Sequence, residues 1–79
     1  MFNKISEYIN DNKFRIILYE DKINIINYKK IITLENNYIS ILTSNKKILI
    51  KGNNLVLNKL LDSEMLIKGN INNVEVIDA

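Results

Sequence analysis

The sequence predicts an all-β domain, an antiparallel meander of seven or eight short strands folded into a small sandwich or open barrel, behind one short N-terminal helix. Three observations predict it. From Lys13 onward, runs of Ile, Leu, Val and Tyr a few residues long alternate with short pairs of turn formers. The separators are too short for parallel crossovers, which need a dozen or more residues. One strand-turn-strand unit is also used twice, because Leu49-Ile50-Lys51-Gly52-Asn53 returns seventeen residues later as Leu66-Ile67-Lys68-Gly69-Asn70.

Residues 1–12 are the segment with a helical period. Phe2, Ile5 and Ile9 fall at i, i+3 and i+7, with Tyr8 beside them. An isolated helix of this length is barely stable in water, so its stripe must lie on something. It either caps one end of the sheet or docks on a partner, which makes Phe2, Ile5 and Ile9 candidate partner contacts.

Residues 13–79 form the β domain, with strands expected near 14–19, 22–27, 30–35, 38–43, 46–51, 54–59, 64–68 and 73–77. Glu20-Asp21, Tyr28-Lys29, Asn36-Asn37, Ser44-Asn45, Gly52-Asn53, the bend from Leu60 to Ser63, and Gly69 to Asn72 separate them. Asn, Asp and Gly suit tight turns because they tolerate positive φ or bond locally to the backbone. Ile23 and Ile25 alternate with Lys22 and Asn24, and Ile39 and Ile41 with Tyr38 and Ser40, as in strands wet on one face. Ile16-Ile17-Leu18, Ile31-Ile32 and Ile48-Leu49-Ile50 instead put apolar groups on both faces. Ile17, Ile32 and Leu49 thus lie opposite the expected core face, and Leu49 joins the candidate partner contacts. Gly52 and Gly69, the two glycines of the chain, are expected as structural turns, where a corner, a bulge or a close backbone approach leaves no room for a side chain. The offset between the repeats also allows a small β-solenoid, although two copies are fewer than such a stack usually needs.

A chain of 79 residues is one domain at most and buries only about 60–65% of its unfolded surface. It has no Cys and no His, so neither disulfides nor zinc-type sites support it, and self-association or a bound partner is expected. Ile, Asn and Lys make up about half of the residues. That bias weakens any functional weight placed on single Lys or Asn positions. Eleven basic and nine acidic residues, net +2, are interspersed along the chain, which is not the footprint of a nucleic-acid binder. No apolar run approaches the roughly 18–20 residues of a membrane span, and the N-terminus lacks a signal-peptide core. A cytoplasmic protein without direct membrane insertion is the expectation.

No constellation for catalysis stands out. The acids Glu20, Asp21, Glu35, Asp62, Glu64, Glu75 and Asp78 fall mostly at turns and strand ends, where carboxylates are solvated, and no apolar pocket is implied that would raise the pKa of one of them. Ser and Thr have no His to activate them. We expect no enzyme, no cofactor and no metal. The order Asn54-Leu55-Val56-Leu57 followed by Ile67-Lys68-Gly69-Asn70 resembles the two signatures of Sm-like RNA-binding ring proteins, in which Asn54 would contact a base and Lys68 a phosphate or base. It lacks the preceding glycine and aspartate, and Lys replaces Arg. This RNA-binding reading is the alternative.

A longer resemblance covers some fifty residues. It runs through Ile23-Asn24-Ile25, Asn27-Tyr28-Lys29, Ile39-Ser40-Ile41, Leu49-Ile50-Lys51-Gly52 with Asn54-Leu55-Val56-Leu57, and Ser63 to Ile71 with Val74-Glu75. In that order and spacing the chain resembles the YabP/YqfC family of sporulation proteins, particularly the YqfC branch. The resemblance implies a non-enzymatic protein of the mother cell that acts in building the spore envelope. It also implies a membrane-bound sporulation protein as partner, and hence a peripheral place at the forespore membrane.

Overall fold

The computed structural model describes residues 13–79. Six strands follow one another: β1 (Arg15–Leu18), β2 (Lys22–Ile26), β3 (Lys30–Leu34), β4 (Tyr38–Leu42), β5 (Lys46–Leu60) and β6 (Glu64–Asp78). They form one open sheet in the order β1-β2-β6-β5-β4-β3, and every pairing is antiparallel.

The architecture corrects the sequence expectation in two respects. There are six strands rather than seven or eight, because the segments expected at 46–51 and 54–59 are one strand of 15 residues, as are those at 64–68 and 73–77. The sheet is single and open, not the expected sandwich or open barrel, and not a solenoid. No helix occurs among the described residues, and the helix expected over residues 1–12 lies outside them. The first four strands fall within a residue of their expected ends.

Each long strand bends instead of stopping. The pairing of β5 with β6 shifts register between Lys51 and Gly52, between Asn53 and Val56, and between Leu57 and Lys59. Asn54 takes φ 56° and Gly69 φ 140°. Extra residues of this kind kink a strand and sharpen its twist. The Gly-Asn chemistry that favours a turn therefore makes a bulge here, because each strand has the other to pair with on the far side of the bend.

The bend gives the molecule two related halves. In one, β2 lies on the first part of β6, with Ile23 opposite Ile67 and Ile25 opposite Met65. In the other, β4 lies on the first part of β5, with Ile39 opposite Ile50 and Ile41 opposite Ile48. Hairpin β1–β2 maps onto β3–β4 at an offset of sixteen residues and β5 onto β6 at seventeen, so the Lys-Gly repeat is one part of an internal duplication. The turns match as well. The Gly69 amide donates to the Asp21 carbonyl at 3.1 Å, and the Gly52 amide donates to the Asn37 carbonyl at 3.2 Å.

Ile23, Ile25, Ile39, Ile41, Ile48, Ile50, Leu55, Met65 and Ile67 are buried and make one cluster, so the inner faces of the two halves share a core. Alternation puts all of them but Leu55 there, since each is separated by one position from its neighbour on the same strand, whereas Leu55 lies beyond the bend of β5. Phe14, Ile16, Tyr28, Ile31, Leu57, Ile71 and Val74 close its margins. Thr43 is buried at the β4–β5 turn. Its hydroxyl accepts from the Lys46 amide at 3.0 Å and donates to the Lys46 carbonyl at 3.1 Å, which satisfies it locally.

Candidate interaction surface

The face of the sheet turned away from the core carries the candidate site. Registers fix its rows. In the second half Thr33, Ser40, Leu49 and Glu75 lie side by side, with Lys30, Leu42, Lys47 and Ile77 in the next row. Leu49 and Leu42 are half-buried there, Ser40 is buried between its neighbours, and Ile77 is 37% exposed. Lys47, Lys51 and Glu75 frame this apolar ground with charge.

The first half repeats the pattern. Ile17, Asn24, Leu66 and Lys59 form one row, and Arg15, Ile26 and Glu64 another. Leu66 stands where Leu49 stands in the other half, Ile26 where Leu42 does, and Asn24 where Ser40 does. The Asn24 side chain donates to Glu64 at 3.1 Å, while its amide oxygen is buried with no partner. Two equivalent outer patches thus flank the bend, each a leucine beside a small polar residue and rimmed by lysines.

Of the residues singled out from sequence, Leu49 lies in such a patch, and Phe2, Ile5 and Ile9 fall outside the described residues. Leu66, Ile26 and Leu42 escaped the sequence reading. The seventeen-residue offset held the signal for Leu66, because it carries Leu49 onto that position. Gly52 and Gly69 sit inside β5 and β6 rather than at chain reversals. A Cβ on Gly52 would overlap the Asn70 carbonyl oxygen, and one on Gly69 would lie 2.6 Å from the Asn54 carbonyl oxygen. Both glycines therefore allow backbone to cross backbone. Asn54 and Lys68 are exposed. Asn54 holds the bulge against Gly69, and Lys68 stands across from Lys22 and Val56.

Among the described residues no group of three or more His, Cys, Asp or Glu side chains gathers that could hold a metal ion. A protein-family model, that of the YabP family, matches residues 10–79. The chain belongs to the YabP family. That membership is consistent with a role associated with sporulation, and the match does not distinguish the YqfC-like branch. Comparison with curated proteins and with solved structures returned no match.

In this YabP-family chain the matched span contains the whole described sheet, including both outer patches and both glycine crossings. The end of the sheet is tied by Lys46, whose ammonium pairs with Asp78 at 2.5 Å. The hydrogen bond from Lys46, and then its charge, hold the Asp78 carboxyl below its usual value of 3.8. No helix among the described residues is long and apolar enough to cross a membrane.

Proposed function

We propose that this chain is a non-enzymatic protein of endospore formation, of the YqfC-like branch of its family. It acts in the mother cell, in building the spore envelope, by docking on a membrane-bound sporulation protein. The family match over residues 10–79 supports the sporulation setting. The observation that carries the docking role is the pair of outer patches, where Leu49 and Leu66 leave apolar surface on the side away from the core. In this reading the chain lies in the mother-cell cytoplasm and reaches the forespore membrane through the partner, since net +2 gives little adsorption to anionic lipid.

Fractionation of sporulating cells tests it. The chain should sediment with membranes, and become soluble when its membrane-bound partner is deleted. Leu49→Glu and Leu66→Glu should each release it and lower the yield of heat-resistant spores, because a carboxylate buried without a partner costs several kcal/mol. Circular dichroism would verify that both variants fold. A chain found soluble and monomeric in wild-type cells, with both variants sporulating normally, would defeat the proposal. Recovery of bound RNA with the purified protein, at unchanged spore yield, would favour the Sm-like alternative.

A further inference from the structure

The bent sheet leaves four stretches of strand with one side unpaired among the described residues. These are β1, β3, the second part of β5 and the second part of β6. Two of them are broken. β3 shifts register between Ile31 and Thr33, and β5 shifts between Asn53 and Val56 and again between Leu57 and Lys59. Such irregularities spoil an edge as a template for another strand. β1 and the run Asn73–Asp78 of β6 keep register with their neighbours throughout, and the chain contains no Pro to block either.

We propose that copies of this chain join head to tail, the open edge of β1 on one copy pairing antiparallel with the open edge of β6 on the next. The backbone directions match. The Tyr19 amide donates to the Lys22 carbonyl, so by alternation Arg15 and Ile17 also spend their backbone groups on β2, and Phe14, Ile16 and Leu18 present theirs outward. The Ala79 amide donates to the Asn45 carbonyl. Asn73, Glu75 and Ile77 therefore face β5, and Val74, Val76 and Asp78 turn their groups outward.

The faces match too. Ile16 lies opposite buried Ile25, while Val74 and Val76 lie opposite buried Ile50 and Ile48. An antiparallel register that keeps these inner faces together sets Arg15 across from Glu75, Ile16 across from Val74, and Phe14 across from Val76. Arg15 and Glu75 are both exposed, and Val76 is 43% exposed. Opposite charges and apolar pairs directly across strands are the stabilising combinations.

Self-pairing satisfies less. β1 holds no acid between Arg15 and Leu18, and the run Asn73–Asp78 of β6 holds Glu75 and Asp78 but no base to set against either. Within one chain β1 and β6 are not neighbours in the sheet, so the complementary edges pair only between copies. A contact between two different edges does not close on itself as a twofold dimer does, and repeats into a row. It touches the outer patches only at their rims, through Arg15 and Glu75, and leaves Leu49 and Leu66 uncovered, so it does not rest on the docking role. One strand pair buries less than the ~1,200 Å² of stable complexes, so the association builds with concentration and weakens with salt.

Sedimentation velocity on the full chain tests the pairing across a concentration series at low and high salt. The average mass should climb past that of a dimer as concentration rises, and fall with salt. Arg15→Glu and Glu75→Arg should each shift assembly to at least roughly tenfold higher concentration, since like charges then face each other. The double variant should restore it, as should an equimolar mixture of the two single variants. Both positions are exposed, and thermal melts would verify that the variants fold. A wild-type chain that stays monomeric would overturn the proposal. So would a Glu75→Arg chain that assembles like wild type, or a mass that stops at the dimer.

Discussion

At Gly52 and Gly69 the two long strands come closer than a side chain permits. Gly52→Ala would press a methyl group into the Asn70 carbonyl, and Gly69→Ala would add the strain of φ 140° to a 2.6 Å contact with Asn54. Each should therefore lose more than the ~1 kcal/mol of glycine preference alone. Thermal melts check this, and an unchanged midpoint at either position would show that the crossing gives way cheaply. Asp78 offers a second residue-scale test. Its folded pKa lies below 3.8 because Lys46 donates a hydrogen bond and a positive charge to it. A depressed carboxyl pKa stabilises the fold above the unfolded value, and the effect is lost as pH falls through the folded value. NMR titration should place Asp78 below 3.8 in the native chain and move it upward in Lys46→Ala. The pair is exposed, so added salt should move it upward as well.

Between strands, the duplication predicts matched energetics. Ile23 and Ile39 are both fully buried, on β2 and β4, opposite Ile67 and Ile50. Ile23→Ala and Ile39→Ala should each cost about 2–5 kcal/mol by leaving a cavity, and by similar amounts, as read from urea unfolding. A large cost at one and none at the other would mean that the halves are alike in register but not in packing. The same elements show what the sequence made legible. Alternation at Ile23/Ile25 and Ile39/Ile41 placed those strands and their core faces correctly, because period two is a local signal. Continuity through Gly52 and Gly69 was illegible, because glycine and asparagine serve turn and bulge alike and only pairing with a distant strand decides between them. The outer patches were half legible. Leu49 stood out by breaking alternation, whereas Leu66 follows a methionine in a run that looks like ordinary core.

For the molecule as a whole, the order of strands in the sheet matters in time as well as in space. β3, β4, β5 and β6 follow one another through short hairpins, so their contacts close small loops. β2 instead bonds to β6 across a long stretch of chain, from Ile26 to Glu64 at its nearest register pair. Loop-closure entropy makes such non-local contacts late to form. During synthesis, Ile23 and Ile25 must wait for Met65 and Ile67 to leave the ribosome before half of the core exists. The first hairpin made is then the last to dock. Ile25→Val should accordingly speed unfolding and leave the folding rate nearly unchanged, whereas Ile41→Val and Ile48→Val should slow folding. Chevron plots would decide, and an Ile25→Val chain that folds as slowly as the Ile41→Val chain would reverse the order. Until that docking occurs, the nascent chain carries a bare β6 edge lined by Met65 and Ile67, an interval in which a chaperone or a neighbouring nascent chain can take the place that β2 later fills.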